Sequence, residues 1–190
     1  MLIKGITDED FVNYKVPSMY IATATCSFKC DKEYGSPICQ NSELAKQPDI
    51  DIPVGDIIDR YLSNPITHAI VIGGLEPFDQ LDDITDLLHV LRYEFNPSYC
   101  GPRNEYDETY IRRNHLKALD PVVIYTGYTK DEFEDMLAKS CECMNDLRNS
   151  FLWSNVIIKF GRYIPGQQPH YDPVLGVYLA SDNQYAERIS

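Results

Sequence analysis

The chain has 190 residues, 44% hydrophobic and 24% charged, a composition typical of one globular domain with its own core. Its formal net charge of −12 argues against a broad nucleic-acid-binding surface, which would need clustered lysines and arginines. No N-terminal signal pattern or membrane-spanning apolar run occurs, and six cysteines in such a chain indicate a reducing compartment; we expect a cytoplasmic protein that binds neither nucleic acid nor membrane.

Apolar runs bounded by turn residues alternate with helical patterns along the chain. The apolar runs predict strands at 18–24, 68–73, 121–126, 155–160 and 174–180, the last of these being the final strand. Apolar spacing predicts helices over 54–62, from 81 onward with Asp79 as the N-cap, and over 129–148 with Thr129 and Glu132 as a capping box. The polar stretch 96–118 predicts a surface excursion.

The alternation of strands and helices indicates a parallel sheet with right-handed crossovers. Such sheets bind ligands at the carboxyl ends of their strands. Four polar or glycine-containing segments follow the predicted strands: a cysteine loop, Gly73-Gly74, Thr126-Gly127-Tyr128, and the pair Lys159 and Arg162. We therefore expect a ligand site there.

Three cysteines, Cys26, Cys30 and Cys39, lie in the loop after the first of these strands. Thiolates are soft ligands that select iron–sulfur clusters, zinc or Cu(I). A closed structural zinc site needs four ligands, so three thiolates favour a [4Fe-4S] cluster with one open iron. A zinc site completed by a distant histidine such as His170, and three unrelated buried thiols, stay open as alternatives.

A second motif joins the predicted strand at 68–73 to the next helix. Gly73 and Gly74 let the backbone approach a ligand without a Cβ in the way. Glu76 adds a carboxylate that suits an ammonium group, and Pro77 stiffens the turn. Taken alone, the same residues are equally consistent with an ordinary strand-to-helix turn.

The remaining candidates have weaker patterns. Lys159 and Arg162 are placed to meet a ligand carboxylate, or equally to be solvated charges at strand ends. Cys141 falls on the apolar face of its helix, whereas Cys100 and Cys143 receive no role. The tyrosines between 93 and 128 are either a partner surface or packing over the sheet.

Together these motifs resemble radical S-adenosyl-L-methionine (SAM) enzymes, and most closely the activases of anaerobic ribonucleoside-triphosphate reductase. The similarity spans residues 18–184 in the family's order: Cys26-x3-Cys30 with Cys39 and Asn41, Gly73-Gly74-Leu75-Glu76-Pro77, Thr126-Gly127-Tyr128, and Ser181-Asp182-Asn183-Gln184. The family has two residues between its second and third cysteines, whereas this chain has eight, and Leu75 is an extra residue in the glycine motif. Added loop length costs little closure entropy.

The resemblance implies a single α/β domain over 1–190, folded as an incomplete (open) parallel β/α barrel of radical SAM type. The three cysteines would bind three irons, and SAM would chelate the fourth. Gly73, Gly74 and Glu76 would hold the methionine amino end. Further cofactor contacts are implied for the backbone of Ile38 at the adenine, Ser181 or Asn183 at the ribose, and Asn41, Thr126, Tyr128 and Lys159.

The implied activity is that of an oxidoreductase that cleaves SAM reductively and abstracts hydrogen from a glycine Cα of a glycyl radical enzyme. That partner would be anaerobic ribonucleoside-triphosphate reductase, and reduced flavodoxin or a ferredoxin-like protein would supply the electron. No side-chain acid, base or nucleophile is required. Two alternatives stay open: a radical SAM enzyme acting on a peptide or small molecule, and a non-catalytic zinc-stabilised binding module.

Overall fold

The structure is a computed structural model that describes residues 1–94, 117–139 and 153–189. The strands in these ranges are β1 Leu2–Asp10, β2 Ser18–Thr23, β3 Ile50–Asp51, β4 Ile70–Gly74, β5 Val122–Tyr125, β6 Val156–Phe160, β7 His170–Asp172, β8 Val177–Leu179 and β9 Tyr185–Arg188. The α-helices are α1 Lys29–Tyr34, α2 Ser42–Ala45, α3 Val54–Ser63, α4 Leu81–His89 and α5 Lys130–Lys139. A 3-10 helix at Pro77–Gln80 precedes α4, and a π-helical turn at Val90–Glu94 follows it.

Seven of these strands form one sheet in the order β3-β1-β2-β4-β5-β6-β9. The central strands β2, β4, β5 and β6 are parallel, whereas β1, β3 and β9 pair antiparallel at the two edges. β7 and β8 form a separate antiparallel pair. The parallel strands are nearly continuous apolar runs because both faces of the sheet are covered.

One face of the parallel strands carries the larger core. An isoleucine row crosses it in register, from Ile21 through Ile72 and Ile124 to Ile158. This row packs with apolar residues of α3 and α4. Because a helix must bury its apolar stripe, these helices cover this face of the sheet.

The opposite face of the sheet has a smaller core. Val71, Val123 and Ile157 point to this face and pack with Tyr14, Leu175 and Leu179. The covering residues come from the bend after β1 and from the segment around β7 and β8. The chain next to β8 therefore lies close to the parallel strands.

The strong apolar runs of the sequence are confirmed as elements. Those at 18–24, 68–73, 121–126 and 155–160 are β2, β4, β5 and β6, and the helix at 54–62 is α3. The capping box is also confirmed: Thr129 N donates to Glu132 Oε2 at 2.9 Å and Glu132 N donates to Thr129 Oγ1 at 3.2 Å. Four strands that pair antiparallel were not predicted: β1, β3, β7 and β9.

Two predictions about particular elements are wrong. Asp79 does not cap α4, because it lies inside the 3-10 helix and Gln80 occupies the N-cap position, without a side-chain capping bond. The run 174–180 contributes β8 to the two-stranded sheet, and β9 follows it as the last strand described.

The surface excursion predicted at 96–118 lies outside the described residues except at its end. There, Ala118 is fully buried and Lys117 donates from Nζ to the carbonyl of Tyr61 at 2.6 Å, so these two residues belong to the core rather than the surface. Cys100, Cys141, Cys143 and the helix beyond Lys139 also lie outside the described residues. The incomplete barrel stays a prediction, because strand order gives pairing and not curvature.

Across the described parts of the chain, none of the helices combines the length and apolar character needed to cross a bilayer.

Candidate functional site

A cavity of about 330 Å³ lies over the carboxyl ends of the parallel strands. This volume falls at the lower end of the range for small-molecule sites, ~300–1,000 Å³. One wall is the cysteine loop, and the other is formed by residues that end or follow β4, β5, β6 and β8. The position agrees with the rule that parallel sheets bind ligands at this edge.

All three loop cysteines line this cavity, and all three are free thiols. The start of their loop is tied to the turn after β4. Gln80 Oε1 accepts the backbone N–H groups of Ala24 at 3.0 Å and Thr25 at 3.2 Å. Glu76 N donates to the Thr25 carbonyl at 2.8 Å. The cysteine and glycine motifs therefore form one connected structure.

The eight residues between Cys30 and Cys39 fold as a short helix and a return. Cys30 lies in α1, which Gly35 ends with a left-handed φ of 76°. The chain then turns back, and Asp31 Oδ1 accepts the N–H groups of Ile38 and Cys39, each at 2.8 Å. The long spacing thereby brings Cys39 back to Cys30.

The thiols influence one another electrostatically. Burial, partly opposed by the hydrogen bond from Phe28 N and reinforced by the charges of Glu76, Asp79 and Cys39, raises the pKa of Cys26 to about 12. Burial, followed by the charge of Cys39, raises the pKa of Cys30 to about 11. Cys39 thus interacts with both other thiols. A cation that binds them must displace their protons, as metals do with coordinating thiols.

The donor chemistry fits a thiolate-bound metal group, with three free thiols facing one cavity. Within residues 1–94, 117–139 and 153–189, however, no three Cys, His, Asp or Glu side chains are already arranged as a metal centre. His170 lies on β7 and is not part of the cavity wall. The structure therefore does not bring the proposed zinc-completing histidine to the cysteines.

The two glycines occupy different positions. Gly74 lines the cavity with a φ of 84°, and a Cβ there would lie 2.9 Å from Ala22 Cα. Its carbonyl accepts a hydrogen bond from Asn41 Nδ2, so Asn41 ties the far end of the loop to β4. Gly73 is not among the wall residues, and its carbonyl accepts from Thr23 Oγ1 at 2.9 Å.

Glu76 is buried in the cavity wall and holds three hydrogen bonds. Thr126 Oγ1 donates to Oε1 at 2.6 Å, Phe78 N to Oε1 at 3.1 Å and Gly127 N to Oε2 at 2.8 Å. Burial nevertheless raises the pKa of Glu76 to about 6. The segment Thr126–Tyr128 is thus the support of this carboxylate, and Tyr128 also lines the cavity.

Lys159 contributes a buried amine to the same wall. Its Nζ donates to the Gly161 carbonyl at 2.7 Å, and burial lowers its pKa to about 7 against the opposing charge of Glu76. Lys29 and Arg162 also line the cavity. The charged wall residues are therefore three cations and one acid, although the chain carries −12 overall. Lys29 and Arg162 both pair with Glu132, at 3.9 and 2.7 Å, so part of this positive charge is already offset.

Two predicted contact residues are engaged elsewhere. Ser181 is fully buried outside the wall, and its Oγ accepts the Ile164 N–H at 3.4 Å. Asn183 donates from Nδ2 to the Arg162 carbonyl at 2.9 Å. Ile38 does line the cavity, with its N–H taken by Asp31. Of the tail motif, Gln184 is the residue that reaches the wall.

Sequence reasoning missed several residues that build the site. Asp31 organises the cysteine loop, Gln80 anchors its start, and Lys29 places a cation over the Tyr128 ring, 3.9 Å from the centroid. Asp31 and Lys29 flank Cys30 directly, and two charges beside a thiol were the sequence signal that would have identified them.

No family model, curated protein or solved structure matches the chain. The function is accordingly argued from the residues of the cavity.

Proposed function

We propose that this protein is a cytoplasmic radical SAM enzyme of the glycyl-radical-activating type, built on an incomplete parallel barrel. One observation carries the proposal. Three free thiols from a loop after β2 line the same cavity as Gly74, Glu76 and Tyr128, at the carboxyl ends of parallel strands. Three of the four motifs behind the family resemblance thus meet at one place.

The proposed cofactors are a [4Fe-4S] cluster held by Cys26, Cys30 and Cys39, and SAM. When bound, the cluster supplies a low-potential electron and an open iron for SAM. The chain contributes binding and orientation. Glu76 presents a carboxylate fixed by Thr126 and Gly127, which suits the ammonium of the methionine end.

Cations of the wall offset the negative charge that three thiolates would bring. Lys159 lies buried in the wall, while Arg162 is held by Glu132 at 2.7 Å and by Glu33 at 3.3 Å. Each acts on thiolate or carboxylate charge in a partly desolvated site, where electrostatic interactions are stronger than in water.

The partner we propose is a glycyl radical enzyme, specifically anaerobic ribonucleoside-triphosphate reductase, with reduced flavodoxin or a ferredoxin-like protein as electron donor. Tyr178 supports a macromolecular substrate, because its side chain lines the cavity and is 75% exposed. A protein segment approaching from that side would reach the cavity.

The first experiment assays iron and sulfide after anaerobic reconstitution. We expect about four irons and four sulfides per chain in the wild type. Cys26→Ser, Cys30→Ser and Cys39→Ser should each lose most of both, whereas Cys143→Ser, a matched control outside the loop, should retain them. Zinc without sulfide would contradict the proposal, and so would a Cys143→Ser protein as depleted as the loop variants.

A second experiment tests the partner. The loaded wild-type protein, SAM and a reductant are mixed with an anaerobic ribonucleoside-triphosphate reductase from the same genome, and the glycyl radical doublet is sought by electron paramagnetic resonance (EPR). We expect the doublet, and its loss with Cys39→Ser. If SAM is cleaved but no glycyl radical forms, the activase assignment is wrong and the radical SAM class stands.

A further inference from the structure

The eight-residue stretch between Cys30 and Cys39 has little to hold it in place. Residues 32–37 are all exposed, and α1 has no buried residue and no side-chain cap at its N-terminus. Apolar packing therefore does not fix the return of the chain to the cavity. Some polar contact must do so, since an unconstrained return would leave the third thiol without a defined position.

Two polar contacts do this. From α1, Glu33 pairs with Arg162 at 3.3 Å. At the return itself, Asp31 Oδ1 accepts two backbone hydrogen bonds at 2.8 Å, from Ile38 N and from Cys39 N. They fix the backbone on the near side of Cys39, while the bond from Asn41 to the Gly74 carbonyl fixes the far side.

We propose that Asp31 is a positioning residue, which folds the lengthened segment so that the Cys39 thiol is presented beside the Cys30 thiol as a ligand. The inference rests on the proposed function only in naming the ligand role. The geometric part, that Asp31 brings these two thiols together, holds for the metal-free chain as well.

The contact lies beside the thiol pair itself. Cys30 Sγ is 3.8 Å from Asp31 Oδ1, the same oxygen that accepts the two backbone N–H groups. The two backbone bonds involve no thiol, so they persist when the cysteines are deprotonated ligands. A neutral acceptor of the same shape, such as the amide oxygen of an asparagine, should therefore preserve most of this geometry.

The first test measures thiol proximity without any metal. Metal-free protein is oxidised with diamide, and the rate of Cys30–Cys39 disulfide formation is followed by peptide mass spectrometry. Asp31→Ala should slow this reaction about tenfold, since it removes both backbone bonds. Asp31→Asn keeps an acceptor oxygen of the same shape and should react much closer to the wild-type rate than Asp31→Ala does, since both backbone bonds can still form.

The two substitutions separate loss of the acceptor oxygen from loss of the charge, because only Asp31→Ala removes the oxygen that accepts the backbone bonds. Glu43→Ala is the matched control, as Glu43 lies in α2 of the same loop with an 82% exposed side chain that pairs only with Lys46 in the described parts of the chain. It should react at the wild-type rate. An Asp31→Ala protein that crosslinks as fast as the wild type, or an Asp31→Asn protein as slow as Asp31→Ala, would overturn the inference.

The second test measures the ligand role on reconstituted protein, as the rate at which a chelator removes iron. Asp31→Ala should lose iron several-fold faster than the wild type, with Asp31→Asn and Glu43→Ala close to the wild type. If the wild type takes up no iron and sulfide, the proposed function fails, while the crosslinking result still decides the geometry. If the wild type holds its cluster and Asp31→Ala holds it equally long, the ligand role of Asp31 is overturned and the proposed function stands.

Discussion

The two walls of the cavity are stabilised in different ways. The strand-end wall continues the core: β6 is buried along its whole length, and Glu76 and Thr126 are buried and bonded to each other. The cysteine loop is held by polar contacts, and neither α1 nor α2 has a buried residue. The strand-end wall is therefore ordered by folding itself, whereas the cysteine loop gains most in stability from a bound ligand.

The walls also differ in electrostatic cost. The strand-end wall buries an acid and an amine, Glu76 and Lys159, whose pKa values are shifted toward the neutral forms by burial. The loop wall carries thiols that burial keeps protonated. A metal group would therefore have to displace the protons of the loop thiols when it binds. Glu76 and Lys159, on the strand side, are already in place before binding.

The largest expected difference between the two walls is the loss of stability when a glycine is replaced by alanine. We compare Gly74, at the strand ends, with Gly35, in the cysteine loop. Gly74 and Gly35 both have left-handed φ values, 84° and 76°. A Cβ at Gly74 would lie 2.9 Å from backbone of β2, whereas a Cβ at Gly35 would meet nothing within 4 Å. Gly35→Ala should cost ~1–2 kcal/mol from backbone strain alone, and Gly74→Ala at least ~3 kcal/mol because backbone must also move.

Urea unfolding of the metal-free variants measures this difference. Gly35→Ala is the matched control, since it has the same conformational penalty without the close contact. Equal losses in the free energy of unfolding would show that the strand-end wall is as adaptable as the loop, and would contradict the comparison.

A smaller effect should appear in the pH dependence of stability. The pKa of Lys159 falls from 10.5 in the unfolded chain to about 7 in the fold, through burial. Between these values the unfolded state binds one more proton, so the free energy of unfolding rises with pH, by up to ~1.4 kcal/mol per pH unit. Lys159→Met should remove this slope between pH 7 and pH 9.

The measurement is the free energy of unfolding by urea at pH 7, 8 and 9, taken as the difference between wild type and variant. Lys139→Met is the control, because Lys139 has a 78% exposed side chain and should leave the slope unchanged. A wild-type slope that survives in Lys159→Met would mean that this amine is solvated in the fold.

The sequence allowed the parallel strands to be predicted because they are nearly continuous apolar runs, such as Val122–Tyr125. Strand β1 was missed because its second half, from Thr7 to Asp10, is polar; β3 pairs with Leu2 and Ile3 at the other end of β1. Asp79 was assigned to the wrong role because a 3-10 helix begins before α4. Its side chain instead accepts the hydroxyl of Tyr128 at 2.9 Å.

The candidate site was predictable where it follows strand ends. Cys26 and Glu76 follow parallel strands and Lys159 lies near the carboxyl end of β6, so topology alone brings them to one edge. The bond from Cys39 N to Asp31 spans eight positions without periodicity, and no local pattern reports it. Ser181 and Asn183 lie off the wall, where their side chains are hydrogen-bonded to the backbone of Ile164 and Arg162.

The central claim is that the three loop thiols hold a cluster with one open iron. The most direct measurement is the EPR spectrum of the reduced, reconstituted wild-type protein with and without SAM. We predict a cluster signal that shifts when SAM is added, because SAM would bind the iron that lacks a cysteine. A cluster spectrum unchanged by saturating SAM, or no cluster at all, would contradict the account.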